Sequence, residues 1–157
     1  TLALARHDFV DGLAWGERAL AVNPYAVAAH GVVSDALIEL GRYDEAVVAV
    51  QRMVDLRPEL ASFARVSYVR ELMGDVPGAV EAMQRAATAG AGRAEGVAWA
   101  HVQLGNLAFG QGDLAGAERA YAAALSALDG YVYAEAGLAR VAAASGDFST
   151  AIAGYAA

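Results

Sequence analysis

The sequence predicts an all-α protein that is built from pairs of short helices. Its 157 residues are about as many as one ordinary domain contains. Short turn-forming segments recur along the chain, and the stretches between them carry apolar residues at helical spacing. Runs of β-branched residues, such as residues 47–50, lie inside a helical period. We therefore expect no strands.

Five turn segments define an internal repeat. They begin at His7, Gly41, Gly74, Gly112 and Gly146, which lie 34, 33, 38 and 34 residues apart. Glycine suits the left-handed residue that ends a helix. The Asp that follows four of these residues can cap the next helix. Each segment therefore predicts a tight turn between two antiparallel helices.

The segments between the repeats set the remaining helix ends. Asn23-Pro24 and Arg57-Pro58 each end a second helix, because Pro cannot continue a helix and disfavours it in the residue before. Asp129-Gly130 ends the fourth unit in a similar place. The Gly-rich segment 90–96 accounts for the 38-residue step, either as a mobile loop or as an extra half-turn. We predict a helical tail over 1–6 and helices over 8–22, 26–40, 44–56, 60–73, 76–89, 94–111, 114–127, 131–145 and from 148 onward.

This pattern resembles the tetratricopeptide repeat, a helix–turn–helix unit of 34 residues. The resemblance implies a right-handed α-solenoid of about four and a half repeats in a single domain that covers the whole chain. The copies span residues 1–24 (partial), 25–58, 59–91, 96–129 and 130–157 (partial). In the best copy the matching residues are His30, Val33, Ser34, Leu37, Ala46, Val50, Met53 and Pro58, and the fourth copy matches at Leu104-Gly105, Ala117, Tyr121 and Ala124.

Two features depart from the family pattern. Gly12 and Gly16 replace the small and large residues of the first copy's second helix. Each helical glycine costs about 1 kcal/mol relative to Ala, so we expect this end of the chain to be soft. The link after Pro58 is one residue short, so Arg65 and Tyr68 compete for the same position in the third copy.

Composition excludes several kinds of site. The sequence has no Lys, which excludes P-loop and Schiff-base lysines, and no Cys, which excludes disulfides, thiolate zinc sites and cysteine nucleophiles. The net charge of −7 argues against a nucleic-acid partner. Arg without Lys, together with abundant Ala and Gly, suggests an actinobacterium or another bacterium with a GC-rich genome.

The chain shows no membrane-spanning stretch and no signal peptide. Its longest uncharged run, residues 96–112, is too short and too polar for a span. Thr1 is not an initiator Met, and 157 is not a multiple of 34, so we expect a fragment of a longer solenoid. Cytoplasm is the default compartment for such a fragment.

The polar residues form no catalytic arrangement. His30, Ser34 and Asp35 stand about one helical turn apart, but one turn does not easily supply a nucleophile, a base and an orienting group in convergent geometry. Ser34 also occupies a small packing position. The three histidines lack the spacing of metal ligands. We expect no enzymatic activity, no cofactor and no metal.

The resemblance implies a concave groove along the first helices of the repeats. Its acidic residues gather in the early copies, whereas its aromatic residues and an arginine lie in the later ones. Trp99 and Phe109 have the alternative of packing against the neighbouring unit, and Arg140 that of being solvated or pairing with Glu135 or Asp147. The predicted groove residues are Asp35, Glu39, Tyr68, Trp99, Asn106, Phe109, Tyr133 and Arg140.

These residues favour a protein–protein interaction scaffold that binds a peptide or protein segment in the groove. Basic groups of the ligand are expected near Asp35 and Glu39, and a carboxylate near Arg140. A family subclass clamps a C-terminal carboxylate with two lysines, an arginine and asparagines. This chain has no lysine, and Asn106 and Arg140 are too few to rebuild that clamp, so we reject this function. The alternatives are a structural or regulatory repeat region of a larger polypeptide that carries an enzyme, and a module that self-associates through the ends of the solenoid.

Overall fold

The computed structural model describes residues 2–156, and this range contains ten α-helices and no strand. The predicted helices agree with it to within one residue at each end, so the all-α prediction is confirmed. The predicted chain ends at Thr1 and Ala157 lie outside the described residues. The helices are α1 Leu2–Ala5, α2 Phe9–Val22, α3 Val27–Glu39, α4 Tyr43–Leu56, α5 Leu60–Leu72, α6 Val76–Ala89, α7 Ala94–Gly110, α8 Leu114–Ala127, α9 Val132–Ala144 and α10 Phe148–Ala156.

The predicted turn segments end one helix and begin the next. Gly112 adopts a left-handed backbone with φ of 77°, and the side chain of Asp113 accepts a hydrogen bond from the Gly116 N–H at 2.8 Å. His7 has φ of 58°, which is uncommon for a residue with a side chain. The turn glycines therefore act as predicted, as residues that end helices.

The 38-residue step adds a turn to α7. This helix has 17 residues, whereas α3, α5 and α9 have 13 each. The four additional residues lengthen the helix by about 6 Å, because each helical residue rises about 1.5 Å. Within segment 90–96, residues 90–93 lie outside the helices and residues 94–96 begin α7, so the added length lies in the helix.

The chain divides into two compact units, residues 1–82 and 83–157. In the first unit, α1 to α5 contribute to a core in which Gly12 and Gly16 are buried. A Cβ on Gly12 would lie 2.8 Å from Leu4 Cδ2, and one on Gly16 would lie 2.6 Å from Val33 Cγ2. The two glycines that predict a soft end thus also allow α1 and α3 to approach α2 closely. The buried core residues are Leu13, Val33, Ala36, Leu37, Ile38, Ala46, Ala49, Val50 and Val69.

The core of the second unit is built around Tyr121 on α8, whose side chain is completely buried. Its ring lies between Gly105 on α7 and Gly137 on α9. A Cβ added to Gly137 would lie 2.6 Å from Tyr121 Cε1, and one added to Gly105 would overlap the same atom. The two glycines therefore form the slot that admits the ring. The other buried core residues are Ala98, Val102, Ala117, Ala124, Tyr131, Ala134 and Val141.

Candidate functional site

One of the predicted groove residues of the first unit, Asp35, belongs to an ion pair. Arg65 on α5 donates from Nε and Nη2 to the two carboxylate oxygens of Asp35 on α3, each at 2.8 Å. Bidentate pairs of this kind are among the stronger hydrogen-bonded contacts, although both side chains are about one-third exposed. The carboxylate of Asp35 is therefore engaged within the chain. Glu39, one turn further along α3, is exposed.

Both candidates for the third copy lie on this face. Tyr68 stands six residues before Gly74, as Asp35 stands six residues before Gly41, so Tyr68 and Asp35 occupy equivalent positions. Arg65 stands three residues earlier on α5, from which its side chain reaches α3. The two residues therefore do not compete, because each has a position of its own.

Tyr68 lies in an acidic environment. Its side chain is 46% exposed, and partial burial raises the pKa of its hydroxyl. The negative charges of Glu39 and Glu71 raise this pKa further, because they disfavour a second anion nearby. Tyr68 therefore stays a neutral hydrogen-bonding phenol at physiological pH.

The one-turn arrangement on α3 contains no catalytic triad. Ser34 is completely buried and its hydroxyl donates to the carbonyl oxygen of Gly31 at 2.9 Å. The ring nitrogen Nε2 of His30 lies 3.0 Å from the carbonyl oxygen of Pro24. Ser34 and His30 thus have separate backbone partners, while Asp35 is paired with Arg65. Within residues 2–156, no group of three or more His, Asp or Glu side chains is placed to hold a metal ion.

Asn106, Phe109, Tyr121 and Arg140 form one connected group in the second unit, called here the Arg140 cluster. Arg140 Nη2 donates to Asn106 Oδ1 at 2.7 Å and to the Tyr121 hydroxyl oxygen. That hydroxyl in turn donates to Asn106 Oδ1 at 2.9 Å. The guanidinium carbon lies 4.3 Å from the centre of the Phe109 ring, in cation–π geometry.

Arg140 does not form an ion pair with either of the carboxylates that the sequence offered as partners. Neither Glu135 nor Asp147, nor any other carboxylate of residues 2–156, has an oxygen within 4 Å of its guanidinium nitrogens. Arg140 Nε is buried and, among the described residues, has no hydrogen-bond partner. Arg140 is therefore held in place by neutral groups only.

Tyr121 is the residue of the candidate site that sequence reasoning missed, since it matched the repeat pattern as a packing residue. A usable signal was present, because a buried tyrosine normally finds a hydrogen-bond partner for its hydroxyl. Asn106 and Arg140 each stand six residues before a turn glycine, and this equivalence marks them as polar neighbours of the next repeat. Asn106 and Arg140 were therefore the residues from which a partner for the Tyr121 hydroxyl could have been predicted.

A cleft of about 280 Å³ opens beside Arg140. Tyr133 on α9 stands at its edge and is 66% exposed. Trp99 and Phe109 are partly buried and pack against the core of the second unit. This is the packing alternative that the sequence left open for both of them. The cleft is lined by Val102, Asn106, Tyr133, Ala136, Gly137, Arg140 and Tyr155.

Within the described residues, no helix is long and apolar enough to cross a bilayer.

A comparison of the sequence with protein-family models and with curated proteins finds no match.

Solved structures, in contrast, superpose well on this chain. TTC0263, a thermophilic TPR protein in Thermus thermophilus, gives a TM-score of 0.76 at 23% identity, over 99% of this chain and 84% of that one. PilW, a type IV pilus biogenesis factor, gives 0.80 at 17% identity, over 98% and 70%. This chain has the tetratricopeptide repeat fold.

YrrB also superposes on the chain. It is described as a TPR protein with an unusual peptide-binding site, and it gives a TM-score of 0.63 at 18% identity, over 98% of this chain and 77% of that one. Identities this low establish the fold alone. The limits of the single repeats and the actinobacterial origin stay predictions.

Proposed function

We propose that this chain is a non-enzymatic interaction module that binds a peptide segment of a protein partner on the α7–α9 face of the second unit. The observation that carries the proposal is the cleft beside Arg140, which has an exposed tyrosine at its edge and a guanidinium on its wall. Tyrosine and arginine are enriched among the residues that dominate binding energy at protein interfaces. The fold supports the proposal, as does the peptide-binding site named for YrrB.

The first unit contributes differently to this proposal. The charge of Asp35 is balanced by Arg65, so a basic group of a ligand is directed toward Glu39 instead. Tyr68 stands beside Glu39 and offers an exposed ring and hydroxyl. We therefore propose Glu39 and Tyr68 as ligand contacts on the first unit's own surface, separate from the α7–α9 face, and regard Asp35 as a residue that orients Arg65.

A peptide-array screen tests the proposal. Bound peptides are measured again with the variants Tyr133→Ala and Arg140→Ala, which remove the exposed ring and the guanidinium of the cleft. We expect each variant to weaken binding by about tenfold, the usual effect of removing an interface residue that matters. The control variants are Trp15→Ala and Arg119→Ala, because Trp15 is an exposed aromatic residue of the first unit and Arg119 is an exposed arginine of α8.

Trp99→Ala belongs in the screen with a separate expectation. Because Trp99 packs against the core, its loss should lower stability as well as binding. Peptides that bind all these variants as tightly as the wild type contradict the proposed surface. The thermal unfolding midpoint of each variant shows whether a loss of binding comes from a loss of fold.

Self-association is a second candidate function, favoured by one observation on α10. The side chains of Phe148 and Ile152 on that helix are 65% and 70% exposed. Large exposed apolar side chains on one helix favour contact with another protein surface. Sedimentation velocity decides the question, since an oligomer that Ile152→Glu dissociates supports self-association and a concentration-independent monomer excludes it.

A further inference from the structure

The first unit has a groove on a different side from Asp35 and Glu39. The groove opens between α2 and α4, and the buried side chains of Val33 and Leu37 on α3 form its floor. Asp35 and Glu39 each stand two residues after one of these, which turns them about 200° around the helix. The groove has a volume of about 690 Å³, and its walls are mostly apolar. It is therefore a separate surface of the first unit.

Two valines of α4 make one wall of this groove apolar. Val47 and Val48 line it, and their side chains are 39% and 70% exposed. The internal repeat supplies a comparison for Val48, which stands two residues after a buried alanine. Glu81 on α6 and Arg119 on α8 stand at the same position, and both are exposed. Because Glu and Arg favour helix more than Val does, the exposed valine helps neither the helix nor the core, and it points to contact with another molecule.

The rim of the groove carries more acids than bases. Glu17, Glu45 and Asp55 line the groove together with one arginine, Arg52. Glu45 is paired with Arg42, whereas neither Glu17 nor Asp55 has an Arg or His nitrogen within 4 Å among the described residues. A negative rim attracts basic groups, and the net charge of −7 adds to this attraction. The charge of the groove therefore favours a ligand with basic side chains.

The acids stand at both ends of the apolar wall. The pKa of Arg42, which precedes α4, is raised mainly by its hydrogen bond to Glu45, and the charge of Glu17 adds to this shift. Glu17 therefore lies near the beginning of α4. Asp55 stands ten residues further along α4 than Glu45, which is a rise of about 15 Å. About three turns of a bound helix would span this length.

We propose that this groove binds an amphipathic helix of a partner protein, with apolar side chains on Val33, Leu37 and Val48 and a basic side chain at Glu17. Helices that bind in grooves present apolar anchors three or four residues apart along one face. Such a face fits a groove that is open along its length and apolar on its floor. The inference goes beyond the proposed function, because it concerns the first unit and does not depend on the α7–α9 face.

Three matched peptides test the inference on the 157-residue chain. The first is about four helical turns long and blocked at both ends, with leucines three and four residues apart on one face, arginines beside them and alanine elsewhere. The second has the same composition in a scrambled order without an apolar face. The third keeps the order of the first but has glutamate in place of each arginine. NMR titration measures the dissociation constant and the ¹³C–¹H methyl signals of Val47 and Val48.

We expect the first peptide to bind at least about fivefold more tightly than either of the others and to move both methyl signals. The scrambled peptide lacks the apolar face, and the glutamate peptide brings like charges to Glu17 and Asp55. Equal binding of the first peptide and either control overturns the inference. So do methyl signals of Val47 and Val48 that stay unchanged up to the solubility limit. Shifts confined to α7 and α9 overturn it as well, but they support the proposed face of the second unit.

Variants separate the apolar wall from the charge. Val48→Gln should weaken binding of the first peptide about fivefold and leave the thermal unfolding midpoint unchanged, because Val48 is exposed. Val10→Gln is the matched control, since Val10 is 67% exposed on α2 and does not line the groove. Glu17→Gln should reduce the preference for arginine over glutamate peptides, whereas Glu118→Gln, at an exposed acid of α8, should not. A first peptide that binds Val48→Gln and Glu17→Gln as tightly as the wild type overturns the inference.

A second copy of the chain is the alternative occupant of the groove. Sedimentation velocity tests it with the same two valine variants. An oligomer that Val48→Gln dissociates and Val10→Gln preserves overturns the inference of a separate partner in favour of self-association. A monomer at all concentrations excludes the second copy and, with the peptide results, supports the partner helix.

Discussion

The two units place an arginine on the same kind of helix face but give it different partners. In the first unit, Arg65 is paired with the carboxylate of Asp35 through two hydrogen bonds of 2.8 Å. In the second, Arg140 is held by the amide oxygen of Asn106 and the hydroxyl of Tyr121. Asp35 and Asn106 occupy equivalent positions, six residues before a turn glycine. The change from acid to amide is thus one of the differences between the neutral pair and the cationic site, and another is that Arg65 stands nine residues, and Arg140 six, before a turn glycine.

A buried residue of the second helix adds to the difference. Val50 stands four residues after Ala46, and Tyr121 stands four residues after Ala117, so the two are equivalent. Both are buried, but only Tyr121 carries a hydroxyl to the helix face. The core of the repeat fold therefore accepts either Val or Tyr at this position. Only Tyr places a hydrogen-bonding hydroxyl beside the polar side chains of the helix face.

The largest expected effect comes from filling the slot of Tyr121. Gly105→Ala places a methyl group against the ring, and overpacking of this kind costs about 1–3 kcal/mol. Gly31→Ala is the matched control in the first unit, because its Cβ would have no neighbour nearer than 3.4 Å. The control should be neutral or up to about 1 kcal/mol more stable, since alanine favours helix over glycine.

Urea unfolding followed by circular dichroism measures both glycine variants. Equal stability of the two contradicts the proposed role of Gly105 in admitting the ring. A second variant, Gly105→Ala with Tyr121→Val, tests the same point from the other side. Gly105→Ala should cost less in a Tyr121→Val background than in the wild type, because the smaller Val leaves room for the added methyl group.

The next largest effect on stability is expected from exchanging the acid Asp35 and the amide Asn106 for one another. Asp35→Asn leaves Arg65 without its carboxylate and should lower stability by about 0.5–1 kcal/mol, the usual range for a partly exposed ion pair. Asn106→Asp should give Arg140 a carboxylate partner and raise stability by a similar amount. A thermal unfolding series measures both changes. An Asn106→Asp variant that is no more stable than the wild type contradicts the equivalence of the two positions.

The smallest effect is expected at a turn of the second unit. Hydrogen bonds from Thr150 and Ser149 lower the pKa of Asp147 to about 2 from its ordinary value of 3.8. The equivalent residue of the α3–α4 turn is Arg42, which pairs with Glu45 instead. Because the folded pKa lies below the ordinary one, Asp147 contributes its stability above pH 3.8 and loses it as the pH falls through about 2.

A ¹³C NMR titration of the Asp147 carboxyl group should show this low midpoint. The signals of α10 should change over the same pH range, since Asp147 accepts a hydrogen bond from the Thr150 N–H at the start of that helix. Asp147→Asn removes the titration and serves as the control. An ordinary midpoint near 3.8 in the wild type contradicts the hydrogen-bonded geometry.

Much of the fold was predictable because its signals are local. The turn glycines require a left-handed backbone, and a proline ends a helix whatever surrounds it. The added turn of α7 was only partly predictable, since segment 90–96 combines Gly with residues that favour helix. Gly12 and Gly16 show the limit of local reasoning. Their helix propensity predicts softness, but their neighbours Leu4 and Val33 show close packing.

The candidate site was predictable in its residues but not in its connections. The resemblance to the repeat family placed Asn106, Phe109 and Arg140 on one face, and the structure brings all three together. Trp99 was placed there too, yet its side chain packs against the core. The spacing of residues along a helix determines the face from which a side chain projects. Whether that side chain is buried depends on the neighbouring helix that packs against this face.

The sequence by itself determined the helices, the turns and the order of the repeats, because each depends on residues a few positions apart. Only the tertiary structure decided which charges are paired. Arg65 finds Asp35 thirty residues away, and Arg140 finds Asn106 thirty-four residues away. Such contacts depend on how two helices pack, and in the second unit that packing depends on Gly105 and Gly137, which leave room for the ring of Tyr121.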